Sequence, residues 1–301
     1  MVKLAYVWKR IASTRTLGRM LQALGVLWGV VELSSFFSDE FEDAIKPYGL
    51  AVPLAAIILG VLFSWPRTSH RYSLKGRDAV IEIIIGSVFK GKGEIVLGSN
   101  TTFDTSFDND LISPTSMQGA YTLRNFKGDV IELDRLLEEQ LQLQGVSGDS
   151  VDKPGKKHRY PIGTVCRIQG PRETSYWLAI ADITPNGIAN SNFQNLKDAL
   201  PKLWEYLAVK GARQDIRMPV LGSGFSRIRE SREDIIKEIV RSFVAACAEA
   251  TFCERLSIYI RPEDVTKHDI DLDELKRFLE CQCLYSETGQ SSGVAFGSPL
   301  S

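Results

Sequence analysis

The sequence is poor in the residues that build metal cages, disulfide frameworks and catalytic triads. It holds five cysteines and three histidines among 301 residues, and no two cysteines form a C-x-x-C pair. Neither a zinc cage nor a disulfide framework is expected, and reduced thiols point to a cytosolic compartment. No histidine adjoins a plausible nucleophile in sequence, so we expect no catalytic set and no metal.

The chain also lacks a net charge of either sign. Its 36 basic and 37 acidic residues sum to −1, so no global basic field attracts nucleic acid, and none is expected as a partner. The G-x-x-x-x-G-K-[ST] phosphate loop is missing, which disfavours a P-loop NTPase. No internal repeat is visible, which disfavours a solenoid.

Apolar sequence is abundant near the N-terminus. Two runs, residues 20–37 and 48–65, each reach about 27 Å as a helix, close to the thickness of a bilayer core. We interpret residues 20–65 as a transmembrane hairpin, against the alternatives of a buried core helix and a signal peptide. Residues 1–19 and 66–77 are basic without acidic residues, and the loop between the runs is acidic, which predicts an N-in, C-in orientation.

Three residues of the first run are candidates for assembly in the membrane. Gly25 and Gly29 form a small-xxx-small pair that lets helix backbones approach closely, as oligomerisation requires. Glu32 is a carboxylate within an apolar span, which indicates a partner helix or a water-filled interior. A side chain that only reaches the outer interface is the alternative for Glu32.

After the basic linker 66–77, the pattern is that of an α/β layer fold in residues 78–285. An insert at 145–161 and a tail at 286–301 are polar and rich in Gly, Pro, Lys or Ser, and we expect both to be mobile. Strands are predicted at 79–85, 93–97, 164–168, 176–183, 215–220 and 256–260. Helices are predicted from Pro114, with Ser113 as N-cap, and at 133–143, 193–209 with a kink or break at Pro201, 234–250 and 272–283.

Two turns at strand ends are candidate ligand contacts. The first is Gly222-Ser223-Gly224, where bare backbone N–H groups near a helix start favour a phosphate or diphosphate, assisted by Arg227 or Arg229. The second is the polar turn Gly98-Ser99-Asn100-Thr101, which is followed by Asp104. Ligands of open α/β sheets bind at such carboxyl ends, although ordinary tight turns are the alternative reading of both.

These segments resemble a macro domain over most of residues 78–285. The resemblance rests on the strand that ends in a small-small-Asn turn, the helix around Ser116–Ala120 that includes Gly119, and the strand-PVLGSGF-helix segment. It implies a three-layer α/β/α domain with a mixed sheet that binds ADP-ribose or a related nucleotide. The diphosphate loop would be Gly222–Arg227, with Phe225 and Ser226 inside it, and Asn100 would lie near the distal ribose.

Two departures from the family pattern affect what we expect. Gly86-Ser87-Val88 stands where macro domains often have a Gly-Asp-Ile turn whose Asp reads adenine, so the base contact must differ. Leu111–Thr115 replaces the usual glycine run, which argues against hydrolase activity.

The hairpin followed by a diverged macro domain resembles the membrane-anchored macro effectors of the Thoeris anti-phage systems. The resemblance implies a receptor in the bacterial inner membrane with its macro domain in the cytoplasm. A partner TIR-domain protein would make an ADP-ribose conjugate from NAD, such as histidine-ADP-ribose, and binding would drive homo-oligomerisation, membrane disruption and abortive infection. A membrane-tethered ADP-ribosyl hydrolase and a passive scaffold remain alternatives, and no cofactor is expected.

Overall fold

The computed structural model describes residues 11–12, 14–65, 68–108, 111–184, 189–222, 228–268 and 270–285. The chain forms two compact units, residues 1–68 and 69–301. The predicted tail, 286–301, lies outside the described residues.

The first unit is a helical hairpin. Helix α1 (Thr14–Phe37) packs against α3 (Ala51–Ser64), and α2 (Asp39–Ile45) with a 3₁₀ turn (Lys46–Tyr48) connects them. Small residues Ala56, Gly60 and Ser64 recur every fourth position on the buried face of α3. A Cβ added to Gly60 would lie 2.8 Å from the Cα of Met20, so glycine is what permits this approach of the two backbones.

The two helices differ in their ability to span a membrane. Residues Thr16–Phe37 of α1 form a 22-residue helix with a mean hydropathy of 1.5, long and apolar enough to cross. Helix α3 has 14 residues, or about 21 Å, which is short for a bilayer core. The α2 segment joins it at a 70° bend, so the described residues contain one candidate span, or two if the bent pair is one.

The short helix α2 lies in the loop that we predicted to connect two spans. Ser38 caps it by accepting a hydrogen bond from the Phe41 N–H, and Asp39, Glu40 and Glu42 occupy its first turn. Acidic residues there interact favourably with the positive end of the helix dipole. The acidic loop is therefore a capped helix.

The second unit is built on a mixed sheet. The strands of this sheet are β1 (Ser69–Ser73), β2 (Val80–Ile85), β3 (Glu94–Asn100), β6 (Val165–Gln169), β7 (Thr174–Ile183), β8 (Ala189–Asn190), β9 (Ile216–Pro219) and β10 (Arg255–Ile260), and a separate two-stranded sheet consists of β4 (Asp149–Ser150) and β5 (His158–Arg159). The central strands β2, β10, β9, β3 and β7 are parallel neighbours in that order, and the edge strands β1 and β6 are antiparallel. The short β8 also pairs with β7.

Helices cover both faces of this sheet. On one face, α4 (Met117–Phe126) and α5 (Val130–Leu143) share a core with alternate residues of β3 and β7, such as Leu97 and Trp177. On the other, α6 (Phe193–Lys210) packs on β7 and against α7 (Arg232–Glu249). The remaining helices are α8 (Pro262–Lys267) and α9 (Leu272–Tyr285), the latter packed on α7 and β1. The three-layer α/β/α arrangement with a mixed sheet is the predicted one.

All six predicted strands are present, with ends displaced by at most three residues. Strand β1 was missed, because Ser69–Ser73 is a polar segment within the predicted linker 66–77, and an edge strand needs no apolar run. It pairs with β2 from Ser69 opposite Ile84 to Ser73 opposite Val80.

Two helix predictions are corrected. Helix α4 begins at Met117, because Ser116 rather than Ser113 is the N-cap and accepts a hydrogen bond from the Gly119 N–H at 3.0 Å. Helix α6 runs through Pro201 without a break. Pro201 is exposed, while Leu200, Leu203 and Trp204 on the opposite side are buried and hold the helix against the sheet.

Candidate ligand-binding site

A cleft lies where the carboxyl ends of the parallel strands meet the start of α4. It consists of two adjoining hollows that open to solvent, with cavity volumes of about 150 and 290 Å³. Six residues line both hollows, which makes them one elongated cleft: Thr115, Ser116, Met117, Pro219, Tyr259 and Arg261. The position is the one where ligands of parallel α/β sheets bind.

The first hollow is bordered by the backbone that leaves β9. Val220, Leu221 and Gly222 line it, and Gly222 has φ +66°, a left-handed conformation that favours glycine. The Gly222 carbonyl accepts a hydrogen bond from the Ile228 N–H at 3.3 Å, which fixes Gly222 next to Ile228. The predicted contacts Ser223, Gly224, Phe225, Ser226 and Arg227 lie outside the described residues.

The second hollow is more apolar. Val88, Phe89 and Ala120 line it, together with the hydroxyl-bearing Ser87 and the carboxylate-bearing Glu263. Ser87, which stands where macro domains often have an Asp, therefore lines this hollow. The two polar side chains give this hollow hydrogen-bonding groups next to an apolar wall.

Charge in the cleft comes from Arg261 and its partner. Arg261 donates through Nε and Nη2 to the two carboxylate oxygens of Asp264, at 3.1 and 3.3 Å. Asp264 is buried, whereas the Arg261 side chain is 49 % exposed, so the carboxylate orients a guanidinium that remains accessible. Arg232, at the start of α7, lies within electrostatic reach of both, and burial lowers the pKa of its guanidinium.

The start of α4 contributes a second anion-favouring element. Ser116 caps the helix and lines both hollows, and Gln118 lines the first. The positive end of a helix dipole, with first-turn N–H groups that have no partner inside the helix, favours negative charge. An anion in the first hollow would lie between this end and Arg261.

The predicted Asn100 turn has a different setting. The Asn100 side chain accepts hydrogen bonds from the Thr102 and Asp104 N–H groups and donates to the Asp104 carboxylate at 3.0 Å. Asn100, Thr101 and Asp104 are buried and lie outside the described lining of the cleft, so their contact with a ligand stays a prediction. Ser99 is one step from the cleft, because its Oγ accepts from Gln118 Nε2 at 3.2 Å.

Gly119 has a packing function. A Cβ added there would lie 2.8 Å from the Cα of Pro114 and closer still to the Ser113 carbonyl. The missing side chain lets the loop before α4 close over the first turn of the helix. Gly119 thereby shapes the wall formed by Thr115 and Ser116, and its direct contact with a ligand stays a prediction.

The segment after β10 was missed by sequence reasoning. Arg261, Glu263 and Asp264 all line the cleft. The signal was present in the sequence, since Arg-Pro-Glu-Asp combines proline at the first helical position with acidic residues in the first turn. A helix start directly after a strand's carboxyl end marks a ligand-binding edge.

Cys166 and Cys247 are buried thiols. Burial raises the pKa of both to about 12, which keeps them protonated and unreactive. No group of three His, Cys, Asp or Glu side chains able to hold a metal is found among the described residues.

Comparison with protein families gives a match for this chain. Residues 81–261 match the family described as Thoeris protein ThsA, Macro domain. No protein of curated function matches the chain.

Among solved structures, the Oceanobacillus iheyensis macrodomain with ADP is 16 % identical, with a TM-score of 0.48 and coverage of 70 % of this chain and 97 % of that one. The same macrodomain with MES bound gives the same values. A tomato leucine aminopeptidase mutant is 13 % identical, with a TM-score of 0.40 over 67 % of this chain and 35 % of its own. Because the family match extends over more than half of the 301 residues, the chain belongs to the family of the macro domain of Thoeris protein ThsA.

Proposed function

We propose that the cleft binds an ADP-ribose-type nucleotide. The observation that carries the proposal is the continuous cleft, which combines an apolar hollow with one that favours anions. In this arrangement, the base occupies the hollow of Phe89, Ser87 and Glu263. The diphosphate lies between Gly222, the start of α4 and Arg261, where backbone N–H groups, a helix dipole and a guanidinium favour it.

We further propose that the bound nucleotide is a signal. The ligand is an ADP-ribose conjugate, such as histidine-ADP-ribose, made from NAD by a partner TIR-domain protein during phage infection. Its binding favours an oligomer of the chain in the bacterial inner membrane, and the oligomer disrupts the bilayer and arrests or kills the cell. A ligand drives this step only through its different affinities for the separate and assembled states.

Part of helix α1 does not pack inside the hairpin, which supports the assembly step. A Cβ added to Gly25 or Gly29 would meet no described atom within 4 Å, and Glu32 is exposed. These residues therefore do not pack inside the hairpin. The basic flanks support the N-in, C-in orientation, which places the macro domain in the cytoplasm.

A membrane-tethered ADP-ribosyl hydrolase is the second candidate. The experiment that separates the two is calorimetry of the full chain in lipid nanodiscs with ADP-ribose, followed by mass spectrometry of the recovered ligand. Saturable binding with intact ligand supports a receptor, and cleaved ligand supports the hydrolase. Absence of binding to ADP-ribose and to its histidine conjugate would refute the nucleotide-binding proposal.

Assembly is tested with three glycines of the hairpin. We expect Gly25→Leu with Gly29→Leu to leave the hairpin folded and to abolish the ligand-dependent oligomer, measured by crosslinking in liposomes. Gly60→Leu is the contrasting control, because Gly60 packs inside the hairpin and its substitution should unfold it. Unchanged oligomers in the Gly25/Gly29 variant would contradict the assigned interface.

A further inference from the structure

The insert that we predict to be mobile contains a short hairpin. Strands β4 (Asp149–Ser150) and β5 (His158–Arg159) pair antiparallel, and we call residues 149–159 the strap. Within it, the Lys153 side chain is fully buried. Burial of a charged group is costly unless it is paired and hydrogen-bonded, so an ammonium inside a polar loop requires a strong partner.

The partner is Asp104, in the turn that follows β3. Lys153 Nζ lies 2.8 and 3.1 Å from the two carboxylate oxygens, and it also donates to the Pro154 carbonyl. The Lys156 N–H donates to the same carboxylate at 2.9 Å. Gly155 has φ +83°, and a Cβ added there would lie 2.5 Å from Asp104 Oδ1, so the strap encloses the carboxylate tightly.

The strap also holds the backbone of this turn. The Tyr160 N–H, just after the strap, donates to the Thr101 carbonyl at 2.8 Å. Phe103 has φ +51°, a left-handed conformation that is costly for a bulky residue, and its buried ring packs edge-on against Tyr160 at 5.9 Å. Contacts from the strap side thus maintain a strained backbone conformation.

The turn after β3 itself contacts the wall of the cleft. Gln118 Nε2 donates to Ser99 Oγ at 3.2 Å and to the Asp104 carbonyl at 3.4 Å, and Gln118 lines the first hollow. A chain of direct contacts therefore runs from Lys153 through Asp104 to Gln118. Lys156 adds a second attachment, a 2.6 Å ion pair with Asp134 of α5.

We propose that the strap is a positioning device for the nucleotide cleft, in which the Lys153–Asp104 pair acts through Gln118. The inference rests on the proposed ADP-ribose site. Breaking the pair releases the turn, and the first turn of α4 then loses the hydrogen bonds that orient Gln118. The cleft becomes less preorganised, and the ligand binds more weakly because it must restore that order.

The test combines hydrogen exchange and calorimetry on the full chain in nanodiscs. In Lys153→Met without ligand, we expect amide exchange to rise about tenfold at residues 99–105 and 116–120 and to stay unchanged in α6. The affinity for ADP-ribose should fall about tenfold, within the range of coupling effects. The double variant with Asp104→Asn should lose little more than Lys153→Met, because the two residues act as one unit.

A matched control breaks another buried ion pair at the opposite end of the same strand. Glu94, the first residue of β3, accepts from Arg167 Nη2 at 2.9 Å and from the Tyr176 hydroxyl. We expect Glu94→Gln to lower stability without faster exchange at 116–120 and without weaker binding. Weaker binding of equal size in both variants would mean that the pair acts only through general stability, and would overturn the proposal.

If Lys153→Met fails to fold, Gly155→Ala is the alternative test variant. It keeps the charges of Lys153 and Asp104 but places a Cβ against the carboxylate. Faster exchange in the strap with unchanged exchange at 116–120 would overturn the coupling. If the wild-type chain binds no ADP-ribose, the proposed function fails, whereas the exchange experiment still decides whether the strap controls α4.

Discussion

The turns after β3 and after β9 lie at the carboxyl ends of neighbouring parallel strands, yet they are used differently. After β9, Val220–Gly222 border the cleft with backbone and small or apolar side chains. After β3, four donor groups converge on the buried Asp104 carboxylate: Asn100 Nδ2, Thr102 Oγ1, Lys153 Nζ and the Lys156 N–H. The turn after β9 therefore lines the cleft, while the carboxylate of the turn after β3 is bound by groups within the protein.

The comparison shows that polar residues at a strand's carboxyl end do not by themselves indicate a ligand site. Buried polar groups require hydrogen-bond partners, and a distant segment of the same chain can supply them. Lys153 is 49 positions from Asp104 in sequence. A glycine-rich turn has few polar side-chain groups that could form hydrogen bonds with a distant segment.

The largest effect should come from breaking the turn after β3. Lys153→Met leaves the Asp104 carboxylate buried without its counter-ion, so we expect the free energy of unfolding to fall by about 3 kcal/mol or more, measured by urea unfolding. Arg135→Met, which removes the exposed ion pairs with Glu132 and Glu139 on α5, should cost far less, because solvent screens exposed charges. Similar losses in both variants would contradict the structural importance of the turn.

The next effect should come from the turn after β9. Gly222→Ala places a Cβ 2.8 Å from Ile228 Cγ1 and strains a left-handed residue in the cleft wall, so we expect ADP-ribose affinity to fall about tenfold in calorimetry. Gly145→Ala is the matched control. Gly145 also has φ +66° but has open space around it, so the variant should lose stability while its affinity stays at the wild-type value.

A smaller effect should come from the charge of Arg261, which follows β10 and lines the cleft. Arg261→Lys keeps a positive charge beside Asp264 but loses the two-point hydrogen bonding, and we expect about threefold to tenfold weaker ADP-ribose binding. In Arg261→Gln, the affinity should also depend less on salt, because an accessible charge near the diphosphate is gone. Calorimetry at two salt concentrations measures both, and an unchanged salt dependence would place the diphosphate away from Arg261.

Much of the fold was predictable because local patterns carry it. The six predicted strands are apolar runs bounded by turn residues, and the helices repeat apolar residues with a helical period. Strand β1 and helix α8 lacked such runs. The start of α4 was misplaced because Ser113 and Ser116 are both suitable caps, and only the hydrogen bond to the Gly119 N–H distinguishes them.

The candidate site was predictable in part. Gly222 was identified from a strand-to-helix transition, which is a local feature, and the helix around Ser116–Ala120 from its resemblance to a macro domain. Arg261 and Asp264 were not, because their relevance depends on the position of β10 between β2 and β9. That order brings β10, the last strand in the sequence, beside β2, and sequence periodicity does not specify this pairing.

By itself, the sequence determined the apolar N-terminal segment, the α/β class of residues 78–285 and the glycine turn after β9, since each follows from local composition and periodicity. Tertiary structure alone decided that the Asn100 turn is covered by the strap, that Gly60 rather than Gly25 or Gly29 packs inside the hairpin, and that Arg261 faces the cleft. The physical reason is that burial and hydrogen-bond partners come from segments far apart in the chain. Residue type and spacing limit which contacts are feasible, and packing selects the ones that form.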